Sequence, residues 1–163
     1  MNGIKKIKFI IKLLIPKRVL EIYHHIKHPH GTLDFQVHLT FHCNLKCKGC
    51  SHFSSLAEKR HLDIKIFEKD LQRLSRLGKK HIRKIDLLGG EPLLHPEINV
   101  LMKIARKYFP KTQIVLLTNG ILLPAMPNDF WKTCKKNKII VIISYYPIEI
   151  DIKTTALSIS VIR

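Results

Sequence analysis

From Phe35 to His42 apolar and polar residues alternate, with Phe35, Val37, Leu39 and Phe41 on one side. A period of two predicts a strand with one buried face. Three later runs are more continuously apolar: Ile82 to Leu88, Thr112 to Leu117, and Lys138 to Ser144. They predict the second, third and fourth strands. Between them the apolar period lengthens to that of a helix. Residues 64–78 place Ile64, Phe67, Leu71, Leu74 and Leu77 on one face, with Gly78 as a stop. Pro96 to Tyr108 turn Ile98, Leu101, Met102 and Ala105 inward, and a short helix is predicted over Asn128 to Asn137. Strands alternating with helices, the inner strands apolar throughout, indicate an α/β fold with a parallel sheet covered by helices.

Ahead of the first strand, residues 4–28 read as a basic amphipathic helix bent at Pro16. Its stripe runs through Ile4, Ile7, Ile11 and Leu14 and resumes at Val19, Ile22 and Ile26. Packing of that stripe on the rest of the fold is the preferred reading; a membrane-surface contact through residues 4–28 is the alternative. His24, His25, His28 and His30 have chelating spacing, but no carboxylate or cysteine is arranged with them, and a solvated face is preferred. The division expected is an N-terminal helical region, residues 1–33, and a core domain, residues 34–163.

Composition changes this picture little. An apolar fraction of 45% over 163 residues suffices for a core. The formal charge of +17, from 29 Lys and Arg against 12 Asp and Glu, is spread along the chain rather than clustered. Nucleic-acid binding is therefore possible but not favoured. Lys12 breaks the first apolar run, no small-residue cleavage site follows it, and no run approaches the ~20 residues of a membrane span. A cytoplasmic protein is expected.

The chemistry lies where strands end. Cys43, Cys47 and Cys50 follow the first strand with the spacing C-x3-C-x2-C. An odd set of thiols this close is not a disulfide framework. Clustered thiols imply a reducing compartment, and thiolates favour iron–sulfur clusters, zinc and copper(I). Zinc would need a fourth ligand, with His42 or His52 at hand, although structural zinc sites usually use two separated ligand pairs. Three cysteines on a four-iron cluster would instead leave one iron with an open position. Cys134 stands apart on a helix and is expected to be buried and inert. Gly89-Gly90-Glu91-Pro92 follows the second strand, Thr118-Asn119-Gly120 the third, and Ser144 closes the fourth. Glycines at a strand mouth allow positive φ and close approach of a ligand, and Asn119-Gly120 is also explained by turn chemistry. Tyr145 and Tyr146 could line a pocket, though core packing is their commoner use. Parallel α/β folds place their sites at these carboxyl ends.

The triple-cysteine loop followed by Gly89-Gly90-Glu91-Pro92 resembles the signature of the radical S-adenosylmethionine (radical SAM) superfamily. That resemblance implies a partial (β/α) TIM-like barrel, of which this chain shows roughly four of six units. It implies a [4Fe–4S] cluster on Cys43, Cys47 and Cys50, with S-adenosyl-L-methionine on the fourth iron and against Gly89, Gly90 and Glu91. Gly49 stands where the family usually has an aromatic residue whose backbone recognises adenine. Asn119 and Ser144 fall where the family places polar groups near the cofactor. The implied reaction is reductive cleavage of S-adenosylmethionine to a 5′-deoxyadenosyl radical, which abstracts hydrogen from a substrate. The implied electron donor is reduced flavodoxin or ferredoxin. The resemblance covers residues 35 to about 152, and the missing fifth and sixth strands lead us to expect a truncated member. Two alternatives stay open: an inactive fragment that holds the cluster without the cofactor, and a zinc-binding basic module that contacts nucleic acid.

Overall fold

The computed structural model describes residues 33–144. The predicted helix over residues 4–28 with its neighbouring histidines, and Tyr145, Tyr146 and the chain beyond them, lie outside the described residues. The elements are β1 (Leu33–Thr40), α1 (Ile64–Gly78), β2 (Ile82–Gly89), α2 (Ile98–Tyr108), β3 (Gln113–Thr118), α3 (Asn128–Lys136) and β4 (Ile139–Ile143). The four strands are parallel and lie in the order β1-β2-β3-β4. This is the α/β pattern expected, and it is structurally that of a partial barrel.

The first strand begins earlier than its alternation suggests and ends at Thr40 rather than His42. Its register with β2 slips between His38 and Thr40, and the Phe41 N–H turns away to the Arg60 carbonyl at 3.1 Å. The backbone thus leaves the sheet before the side-chain alternation stops.

Asp63 caps α1, its carboxylate accepting from the amides of Lys65 at 2.8 Å and Ile66 at 3.0 Å. Phe67 and Leu71 are buried, and Ile64 and Leu74 pack against the core. Leu77, expected on the same face, is 77% exposed: the three-residue steps from Leu71 to Leu74 to Leu77 fall short of full helical turns and rotate it off the Phe67 and Leu71 face. The inward face of α2 is as predicted, with Ile98, Leu101, Met102 and Ala105 buried. One core joins these helices to Leu39, Ile85, Leu87, Ile114 and Leu116 of the sheet.

The amino ends of β3 and β4 are tied by one residue. The Arg106 guanidinium donates to the carbonyls of Asn137 at 2.6 Å, Thr112 at 2.9 Å, Lys138 at 3.0 Å and Phe109 at 3.1 Å. Cys134 has no exposed surface and its Sγ lies 3.8 Å from Met102 Sδ; burial pushes its thiol up to about 12. Among the described residues no helix is long and apolar enough to cross a membrane.

Candidate functional site

All four strands point their carboxyl ends to one side. There a cavity of about 270 Å³ is lined by Cys43, Cys47, Gly49 and Cys50 of the loop after β1, and by Gly89 and Gly90 after β2. Asn119 and Ser144 complete the lining after β3 and β4. Of the nine site residues read from the sequence, the cavity brings together eight. Glu91 is the exception.

Glu91 has no exposed surface, and its carboxylate points into the protein. Oε1 accepts from the Thr118 hydroxyl at 2.7 Å and the Leu93 amide at 3.0 Å, while Oε2 accepts from the Asn119 amide at 2.8 Å. Burial raises its pKa above the ordinary carboxylate value, and the three hydrogen bonds work against that rise. A charge placed there is tolerable only because every donor it needs is supplied.

The two glycines bring the β2 turn hard against the start of the cysteine loop. Gly89 has φ 150°. A Cβ on it would strike the Thr40 backbone, and one on Gly90 would strike the His42 carbonyl. The Gly90 amide donates to Thr40 O at 3.0 Å, the Glu91 amide to His42 O at 3.1 Å, and the Thr40 hydroxyl to Glu91 O at 3.0 Å. These glycines therefore serve the loop's anchorage as well as lining the cavity. Gly49 is different: nothing lies within 4 Å of a Cβ built on it.

Inside the loop the three thiols have unlike surroundings. Burial raises the pKa of Cys43, whereas the backbone amide of Ser54, foremost among several hydrogen bonds, lowers that of Cys50. Cys43 Sγ accepts from the Leu45 amide at 3.4 Å and is approached by Asn119 Nδ2 at 3.7 Å. The same Nδ2 donates to Asn44 Oδ1 at 2.7 Å, a partner that sequence reasoning missed because Asn44 reads as an ordinary turn residue. Ser144 is held by its own amide, which donates to Thr118 O at 2.8 Å.

His52 also lines the cavity. His42 turns the other way, its ring edge-on to His61 with centroids 5.0 Å apart, and His61 in turn lies 5.1 Å from His95. Among the described residues no group of three histidine, cysteine or acidic side chains converges on a single metal ion. Thiolates that ligate separate irons of one cluster need not converge in that way. The cavity presents three soft sulfurs and the His52 ring, with no carboxylate, and the three sulfurs fit an iron–sulfur centre.

Residues 37–145 match the sequence profile of the Radical SAM superfamily. The GTP 3′,8-cyclase of Chlorobaculum tepidum is 36% identical over 93 residues, covering 56% of this chain and 27% of the relative. That of Geobacter sulfurreducens is 37% identical over 92 residues, again 56% of this chain and 28% of the relative. The chain thus spans little more than a quarter of the length of these curated relatives. Among solved structures, BtrN in complex with AdoMet and 2-DOIA superposes with a TM-score of 0.59 at 21% identity, covering 73% of this chain and 48% of that one. Native anSMEcpe with bound AdoMet gives a TM-score of 0.60 at 20% identity, covering 80% and 40%. These likenesses show the fold. With the profile matching most of the described residues, including all three loop cysteines and the glycine turn, the chain belongs to the Radical SAM superfamily.

Proposed function

We propose that Cys43, Cys47 and Cys50 hold a [4Fe–4S] cluster and that the adjoining cavity receives S-adenosyl-L-methionine. The observation that carries this reading is the convergence of three thiols and the Gly89-Gly90 turn on one cavity at the strand mouths. Three thiolates rather than four leave one iron free for a ligand. When bound, the cluster supplies the electron that cleaves S-adenosylmethionine to a 5′-deoxyadenosyl radical for hydrogen abstraction from a substrate.

The chain's own residues bind and orient. Backbone carbonyls at the Gly89-Gly90 turn suit the cofactor's cationic amino group, since the Glu91 carboxylate is fully engaged elsewhere. The Gly49 backbone suits the adenine edge, and the Ser144 hydroxyl suits the ribose or carboxylate. Glu91 works from inside, holding the β2 and β3 mouths in register around the cavity. Reduced flavodoxin or ferredoxin is the proposed donor, and the formal charge of +17 favours docking of an acidic one. Residues 34–163 are read as the core domain and residues 1–33 as an appended helical region, in a cytoplasmic protein.

Metal analysis after anaerobic reconstitution tests this reading. About four iron and four sulfide per chain are expected, lost in Cys43→Ala, Cys47→Ala and Cys50→Ala but kept in Cys134→Ala. One zinc per chain in place of iron and sulfide would overturn it.

A further inference from the structure

We infer that Asn119 is a hydrogen-bond donor to the Cys43 sulfur, so that its side chain tunes the iron–sulfur centre instead of gripping the cofactor. The inference rests on the cluster reading above. Its geometry is over-determined. Asn119 Oδ1 accepts the Ile121 amide at 3.1 Å, and a backbone N–H can only donate, so the amide's orientation is set: Nδ2 is the end that faces the cysteine loop. One Nδ2 hydrogen goes to Asn44 Oδ1 at 2.7 Å, and the other reaches Cys43 Sγ at 3.7 Å. The backbone of Asn119 is pinned by Glu91 at 2.8 Å, and the residue is only 5% exposed, so the group cannot swing away.

Cys43 thereby faces two donors, the Asn119 amide and the Leu45 backbone N–H at 3.4 Å. Reduction adds negative charge that the cluster shares with its cysteine sulfurs. Donors aimed at one of those sulfurs favour the reduced form and raise the potential. Asn119 is accordingly a positioning and tuning residue, acting on the centre through Cys43.

The test is an EPR-monitored redox titration of the reconstituted full chain without S-adenosylmethionine, comparing wild type with the neutral variants Asn119→Leu and Asn119→Ala. Both remove the two side-chain donors without placing a charge beside the sulfur, and Asn119→Leu, close to asparagine in size, decides if Asn119→Ala misfolds. The expected result is a more negative midpoint, equivalent to a several-fold loss in the reduction equilibrium, with cofactor affinity of the oxidised Asn119→Leu protein within about twofold of wild type. An unchanged midpoint in a fully loaded Asn119→Leu protein overturns the inference, as does a loss of cofactor affinity without a change in midpoint. A wild-type chain that takes up no cluster refutes the cluster reading itself, which keeps the two failures distinguishable.

Discussion

The Glu91 carboxylate accepts the backbone amide of Asn119 at 2.8 Å, joining the mouth of β2 to the mouth of β3. The same carboxylate holds the Thr118 hydroxyl, and the Glu91 backbone is bonded to Thr40 and His42 at the end of β1. One buried acid therefore sets three strand ends around the cavity. Glu91→Ala would leave the Leu93 and Asn119 amides and the Thr118 hydroxyl without an acceptor. A buried group robbed of its partner costs about 1–3 kcal/mol, so a loss of about 3 kcal/mol is expected as a lowered urea midpoint.

The pH dependence of stability carries the mark of the same residue. Burial raises the Glu91 pKa above its ordinary value of 4.5. The folded chain therefore binds this proton more tightly than the unfolded chain does. Its contribution to stability is fully present below 4.5 and is lost as pH rises through the folded value. In Glu91→Gln that part of the slope is absent. Chemical denaturation of both proteins across the acid range, from pH 4 to about pH 7, checks the sign.

The glycines make opposite predictions. Gly90→Ala drives a methyl into the His42 carbonyl and must move the backbone that carries Cys43. A destabilisation of about 1–3 kcal/mol is expected, together with reduced iron uptake on reconstitution. Gly49→Ala meets open space, and its stability should stay within about 0.5 kcal/mol of wild type. Equal thermal shifts in the two variants would contradict the account.

Thiol reactivity separates the four cysteines. In the metal-free chain iodoacetamide at mildly alkaline pH should modify Cys43, Cys47 and Cys50 and spare Cys134, which is fully buried with its thiol pushed up to about 12. Cys50, its pKa lowered by hydrogen bonds, should react before Cys43, whose pKa burial raises. Peptide mass spectrometry gives the order, and denaturant should expose the fourth thiol.

Much of this was legible in the sequence. Among the described residues the helices and strands lie within about two residues of where the apolar periods place them, because each buries a stripe of its own period against a single core. The triple-cysteine spacing and the glycine turn announced the site. The rest was not legible. Leu77 extends the stripe of α1 by a second three-residue step, which rotates it off the buried face. Glu91 at a strand mouth reads alike whether it faces ligand or protein, and only the positions of Thr118 and Asn119 show that it faces inward. Arg106 and His42 find their partners across the fold, in backbone carbonyls and in His61, and carbonyls carry no residue signature.

The most direct test of the central claim is EPR of the anaerobically reconstituted, reduced chain with and without S-adenosylmethionine. The account predicts a [4Fe–4S]⁺ signal that shifts when the cofactor is added, because three cysteines leave one iron open to it. A signal indifferent to the cofactor would contradict the proposed cofactor site, and no iron–sulfur signal in a chain whose metal content is unchanged by Cys43→Ala would contradict the cluster.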